Sequence, residues 1–166
     1  MPLRNARTKD VFLPPGHDHG RCSADAMARA EALCAERAQR LTASRRLVLE
    51  TLASSHRPIG AYEIIERLAD HGRRPAPITV YRALDFLVEN GLVHRIESRN
   101  AFFACINRHD TGTMAVFFIC ESCGAVGEAP SVAVADALLA AATGAAFSPT
   151  TPVIEIAGIC AHCRAA

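Results

Sequence analysis

The stretch Ala76-Pro77-Ile78-Thr79-Val80-Tyr81-Arg82-Ala83-Leu84-Asp85-Phe86-Leu87-Val88-Glu89-Asn90-Gly91 decides how the first half of this chain folds. Val80, Leu84 and Leu87 recur at helical spacing and turn towards a core. Proline is tolerated only at the start of a helix, and Asn90-Gly91 offers the left-handed cap that ends one. The spacing predicts a helix over 78–89, with Thr79, Tyr81 and Arg82 near its N-terminal end. A helix that presents its first turns can enter the major groove of DNA. An arginine there can bridge O6 and N7 of guanine, worth about 1–3 kcal/mol of discrimination.

Before this helix lies a loop over 71–77 with Gly72, Arg73, Arg74 and two prolines. A short helix is predicted over 61–70, with Ile64, Ile65 and Leu68 facing inward, after a turn at Pro58-Ile59-Gly60. Thr42 is a good N-cap for a helix running to about Ser54. A further helix is predicted over 24–40. After Gly91 the period changes: 92–97 and 101–106 read as strands joined by a turn at Ser98-Arg99-Asn100. Helices followed by a hairpin form the layout of a winged helix-turn-helix, here assigned to residues 24–103. Arg45, Arg46, Arg73 and Arg74 flank the reading helix and suit phosphate contacts.

Residues 104–166 read differently. Strands are predicted over 114–120, 125–128 and 153–159, with a helix over 131–143 capped by Ser131. The fold class is α+β: a winged helix-turn-helix, then a small α/β domain. About sixty residues make a marginal core, which a metal staple and a partner subunit would both help. Cys120-x-x-Cys123 and Cys160-x-x-Cys163 each follow an apolar strand ending in Ile. Two such pairs supply the four sulfurs of a closed, structural zinc site. The 36 residues between them hold a whole strand–helix unit, so the metal would pin the domain together. The competing reading is redox chemistry, but one pair would suffice for that, and neither is predicted to open a helix.

Composition narrows the function. Residues 1–100 carry 16 of the 18 Lys and Arg against 12 of the 17 Asp and Glu, while 101–166 carry 2 against 5. A basic half joined to an acidic half suggests that only the first meets a polyanion. No apolar h-region opens the chain and no stretch approaches the roughly 20 apolar residues of a membrane span. That predicts a cytoplasmic protein without a membrane partner, where seven cysteines read as metal ligands before disulfides. Residues 1–23 are polar and Pro/Gly-rich, and read as a flexible extension. His17, His19 and Cys22 within it offer an alternative reading, an auxiliary metal-binding arm. No H-E-x-x-H and no nucleophile motif is present, so an enzyme is not expected.

The runs Arg40-Leu41-Thr42-x-x-Arg45, Ala61-Tyr62, Thr79 to Leu87, Gly91-Leu92-Val93-His94 and the two CxxC pairs resemble the Fur family of metalloregulators. Within it, the match is nearest to the zinc uptake regulator branch, and it covers roughly 29–163. The resemblance implies a homodimeric winged-helix repressor of zinc uptake and homeostasis genes that binds double-stranded operator DNA when loaded with zinc. It implies that Tyr62, Tyr81 and Arg82 contact DNA and that the four knuckle cysteines hold structural zinc; Thr79 at the helix start and Arg45 among the flanking arginines join the DNA-contact candidates by position.

A sensor needs a second, weaker site. His94 on the first wing strand, Cys105 at the end of the second, His109 in the connection and Glu128 past the first knuckle pair are zinc-compatible donors. By the resemblance, His94, Cys105 and Glu128 match regulatory ligands in register. The family's further histidine, seven residues before Cys120, is replaced by Thr113, and His109 is the nearest substitute. Two zinc ions per chain are expected, one structural and one regulatory. A thiolate at the sensory site favours zinc over manganese. The alternative is a regulator of the same fold that answers to iron, manganese or peroxide.

Overall fold

The computed structural model describes residues 11–14, 16–70, 72, 74–105, 114–150 and 152–165. It forms two compact units, Asp18–Thr111 and Met1–His17 with Gly112–Ala166.

The first unit is helical. It runs α1 (His19–Glu36), α2 (Ala43–Ala53), α3 (Ala61–Asp70), α4 (Pro77–Glu89), then strands β1 (Val93–Ile96) and β2 (Ala101–Ala104). α1 begins five residues before the predicted start, because Asp18 caps it by accepting from the N–H groups of Gly20 and Arg21. It also ends four residues early. Ala38 takes a left-handed conformation (φ 51°) and Gln39 N–H closes onto Cys34 O. Elsewhere the punctuation reads as expected. Thr42 Oγ1 accepts from Arg45 N–H at the start of α2. After α4, Gly91 (φ 66°) places its own N–H on Val88 O and that of Leu92 on Leu87 O.

Leu49, Leu52, Ile64, Ile65, Val80, Leu84 and Leu87 form the fully buried centre of this unit, with α2 packed against α1, α3 and α4. The buried Asn90 is satisfied there: its amide donates to Phe86 O and its oxygen accepts from Arg37 Nη1 at 3.0 Å. The hairpin pairs Val93 with Ala104 and Ile96 with Ala101. The predicted turn at 98–100 is a 3-10 turn over Glu97–Arg99, closed by Asn100 at φ 45°. Ile59, read as a turn residue, exchanges both backbone hydrogen bonds with Phe102. The wing thus gains a one-residue third strand.

The second unit contains β3 (Ala115–Cys120), β4 (Val126–Pro130), α5 (Val132–Gly144), β5 (Ile154–Gly158) and a single-turn α6 (Ala161–Arg164). β3 is central, antiparallel to β4 and parallel to β5. Ser131 Oγ caps α5 by accepting from Val134 N–H. α5 buries none of its residues, and it exposes Val132, Leu138 and Leu139.

Val11 and Phe12, inside the predicted extension, lie against this unit. Phe12 lines a small cavity with Ile119, Cys120, Gly158 and Cys160, and its carbonyl is 3.3 Å from His162 Nε2. A side chain on Gly127 would place its Cβ 2.5 Å from Val11 Cγ1 and 2.6 Å from Val11 O. Gly127→Val should therefore dislodge residues 11–12 and destabilise the unit by about 1–3 kcal/mol. Limited proteolysis of the N-terminal segment and a thermal melt would read this; an unchanged cleavage pattern and melt would refute it.

Candidate functional site

Each thiol pair of the knuckle sits where a strand of the small sheet ends. β3 runs directly into Cys120, and the chain turns through Gly124, whose φ of 75° favours glycine. Gly124 N–H donates to Cys120 O, and Cys120 N–H to Ala125 O, both at 2.9 Å. β5 delivers Cys160 beside it, so that Cys160 N–H points at Cys120 Sγ from 3.4 Å. The sulfurs of Cys120, Cys123, Cys160 and Cys163 all lie within 4.8 Å of one another. Cys120 and Cys160 are buried and the other two half-buried. One expectation needs correcting: the second pair does open a helix, since Cys160 is the N-cap of α6. Four convergent thiols still fit a closed tetrahedral zinc site rather than a two-thiol exchange centre.

The electrostatics prepare this cluster for a cation. The N–H groups of Cys123 and Cys160 draw the Cys120 thiol down from 9.0 to about 6, against the opposing effect of burial. At Cys163 the Ser122 hydroxyl lowers the pKa, but the Cys160 thiol, burial and the other two thiols outweigh it and push the group up to about 11. One sulfur is thus anionic at neutral pH and at least one neighbour holds its proton until metal displaces it. Protons compete for the same sulfurs, so zinc binding at the knuckle should weaken as the pH falls. A chromogenic chelator titrated against pH would register this, and zinc retention indifferent to acid would contradict it.

In the helical unit, the N-terminal end of α4 carries the predicted reading residues. Tyr81 and Arg82 are exposed, as is Ile78, while Thr79 is half-buried at the edge of an apolar groove with Leu47 and Leu68. Tyr62, near the start of α3, is 71% exposed. Ala76 offers no side-chain cap, Pro77 has no N–H to satisfy, and Thr79 N–H donates to Ala76 O at 2.9 Å. Arg45, in the first turn of α2, has contacts within the unit. Its guanidinium lies 3.4 Å over the Phe86 ring and donates to Arg40 O. Arg46 pairs with Glu31 at 2.7 Å. Arg73 lies outside the described residues.

Of the second donor set, the hairpin brings two members together. His94 lies opposite Phe103 in the register, and Cys105 is two residues beyond Phe103, so all three share one face of the ribbon. The His94 ring packs on Phe103, and a His94 nitrogen lies within 4.8 Å of Cys105 Sγ. Cys105 is held by its N–H on Leu92 O and by Arg29, which donates to its carbonyl. In the other unit Glu128 is 2% exposed, next to Phe117 on β3. His109 and Thr113 lie outside the described residues.

A winged helix-turn-helix and a four-thiol metal centre together define a metal-dependent regulator architecture. The chain belongs to the ferric uptake regulator family, whose profile matches residues 36–155. The zinc uptake regulation protein of Escherichia coli (strain K12) is 39% identical over 137 residues, covering 82% of this chain and 80% of that protein. The structure of a zinc uptake regulator complexed with zinc and DNA matches with a TM-score of 0.80 at 37% identity, covering 86% of this chain and 95% of that one. Holo XcZur matches with a TM-score of 0.78 at 39% identity, covering 87% and 99%.

Proposed function

We propose that this protein is a zinc-responsive transcriptional repressor of zinc uptake and homeostasis genes, binding operator DNA as a zinc-loaded homodimer. The observation that carries the reading is the exposure of Tyr62 near the start of α3 and of Tyr81 and Arg82 in the first turns of α4. These groups spend no energy on the fold, and their chemistry suits base edges and phosphates. Thr79 sits beside them. Arg45 is largely committed to Phe86, so its phosphate role is secondary. The apolar α5 face and the exposed Val153 and Ile156 near β5 supply a surface for a second copy. The likeness to zinc uptake regulators at 37–39% identity supports zinc over iron, manganese or peroxide as the signal.

Two zinc ions per chain belong to this reading. The knuckle holds one. The second is assigned to His94, Cys105 and Glu128, with His109 as a fourth donor. Support comes from the paired placement of His94 and Cys105 and from the donor type and burial of Glu128. Ligands drawn from both units let occupancy shift the population towards the DNA-binding conformation. The coupling is reciprocal, so operator DNA tightens zinc binding by the same factor.

Cys105→Ser should keep the knuckle zinc but lose regulatory zinc affinity by more than the roughly 10–100-fold that changes to outer-shell partners of a ligand cost. Operator binding at buffered free zinc is the measurement. If affinity for DNA still rises at wild-type zinc concentrations, the assignment is wrong.

A further inference from the structure

The sequence motif His17-Asp18-His19-Gly20-Arg21-Cys22 has no part in the function above. The fold gives it a partner that no spacing reveals. His19 is the first residue of α1, and its ring stacks on His56, in the loop after α2, with centroids 5.0 Å apart. Ligand nitrogens of the two rings lie within 4.8 Å of each other. Cys22, one helical turn beyond His19, lines a groove of about 630 Å³ together with His56, Asp25 and Ser55. Asp18 is occupied as the cap of α1, which fixes the helix start and so the direction of His19. His56 and Cys22 are half-buried and His19 exposed, so the donors are open to solvent from one side.

We propose that this is a further metal site: His19 and His56 bind a late first-row divalent cation, zinc foremost, with His17 and Cys22 completing the shell. Two imidazoles brought together from distant parts of the chain, with a thiol lining the same groove, form a donor set of borderline softness that suits zinc, copper or nickel rather than calcium or magnesium. The site differs from the knuckle in having no preformed set of thiolates, and from the His94 set in sharing no residue with it. Its open side and small ligand set make it the weakest of the three, filled at free zinc above that needed for the other two. Occupancy would clamp the first turn of α1 to the loop before Ile59, the residue that joins the wing sheet.

The test uses the full chain with its knuckle zinc in place. Zinc content at equilibrium is measured across a series of buffered free zinc concentrations for the wild type, His19→Ala/His56→Ala and Cys105→Ser. Histidine side-chain ¹⁵N resonances are followed in parallel. The double variant should hold one zinc fewer than the wild type at saturation, while still gaining the equivalent lost in Cys105→Ser. The last equivalent should shift the resonances of His19 and His56 in the wild type. Equal zinc content of the wild type and the double variant, or unmoved His19 and His56 resonances, would overturn the proposal. Because Cys105→Ser reports separately, failure of the regulatory assignment would appear as a different missing equivalent.

Discussion

Cys120→Ser is expected to lose the structural zinc and to unfold the knuckle unit, while the helical unit retains its own melting transition. The reason lies in how little else holds that unit together. Among the described residues its buried side chains are few: Val116, Phe117, Ile119 and Val126, with Glu128 and with Cys120 and Cys160 themselves. α5 adds none, and β5 is half open to solvent. Against so small a core, a structural zinc contributes on the order of 10–16 kcal/mol of apparent binding energy at neutral pH. Serine removes the thiolate whose pKa the surrounding N–H groups hold lowest, and it leaves three sulfurs that cannot close a tetrahedron. Metal analysis should fall by one zinc per chain, and amide resonances of β3, β4 and β5 should collapse to unfolded positions. A variant with full metal content and an unchanged melting curve would sink the structural assignment. Cys163→Ser should behave alike, which separates a closed metal site from a thiol exchange centre, where only the attacking sulfur is critical.

The parts of the fold legible in the sequence were those with strong local chemistry. Pro77 at the start of α4, Asn90-Gly91 at its end, Thr42 before α2 and Ser131 before α5 each satisfy or free backbone groups in only one sensible way. The thiol pairs were legible because their spacing and the apolar strands before them leave one economical use. What escaped depended on distant partners or on unsignalled backbone shapes. Ala38 ends α1 in a conformation that glycine would have announced. Ile59 becomes a strand residue only because Phe102, 43 positions later, presents its backbone to it. Arg45 reads as a surface cation until Phe86 is found beneath it. His56 carries no motif at all, and only the packing of α1 beside the end of α2 brings it to His19. The His94 and Cys105 pair lay between these cases: residue type suggested them, and strand register decided that they share a face.

Arg82→Ala should abolish specific operator binding while leaving the fold, the zinc content and the dimer unchanged. Arg82 is exposed on α4, one position after Tyr81 and next to the buried Ala83 and Leu84 that anchor the helix. Its removal therefore takes away a reading group without touching the core. One bidentate contact to guanine is worth about 1–3 kcal/mol. A two-fold operator engages the residue twice, so the loss per dimer is about 2–6 kcal/mol, or roughly 30-fold to more than 10⁴-fold in affinity. The contrast with Arg45→Ala is informative. That change removes the cation over Phe86 and the hydrogen bond to Arg40 O, so it should lower the melting temperature as well as DNA affinity. Fluorescence anisotropy at fixed salt and zinc, on operator and on scrambled DNA, distinguishes the two roles. For Arg82→Ala the operator curve should fall towards the scrambled one, because a base contact carries the discrimination and phosphate contacts do not. If both curves weaken equally, Arg82 is a phosphate contact, and the base reading passes to Tyr62 and Tyr81, the exposed aromatic residues of α3 and α4.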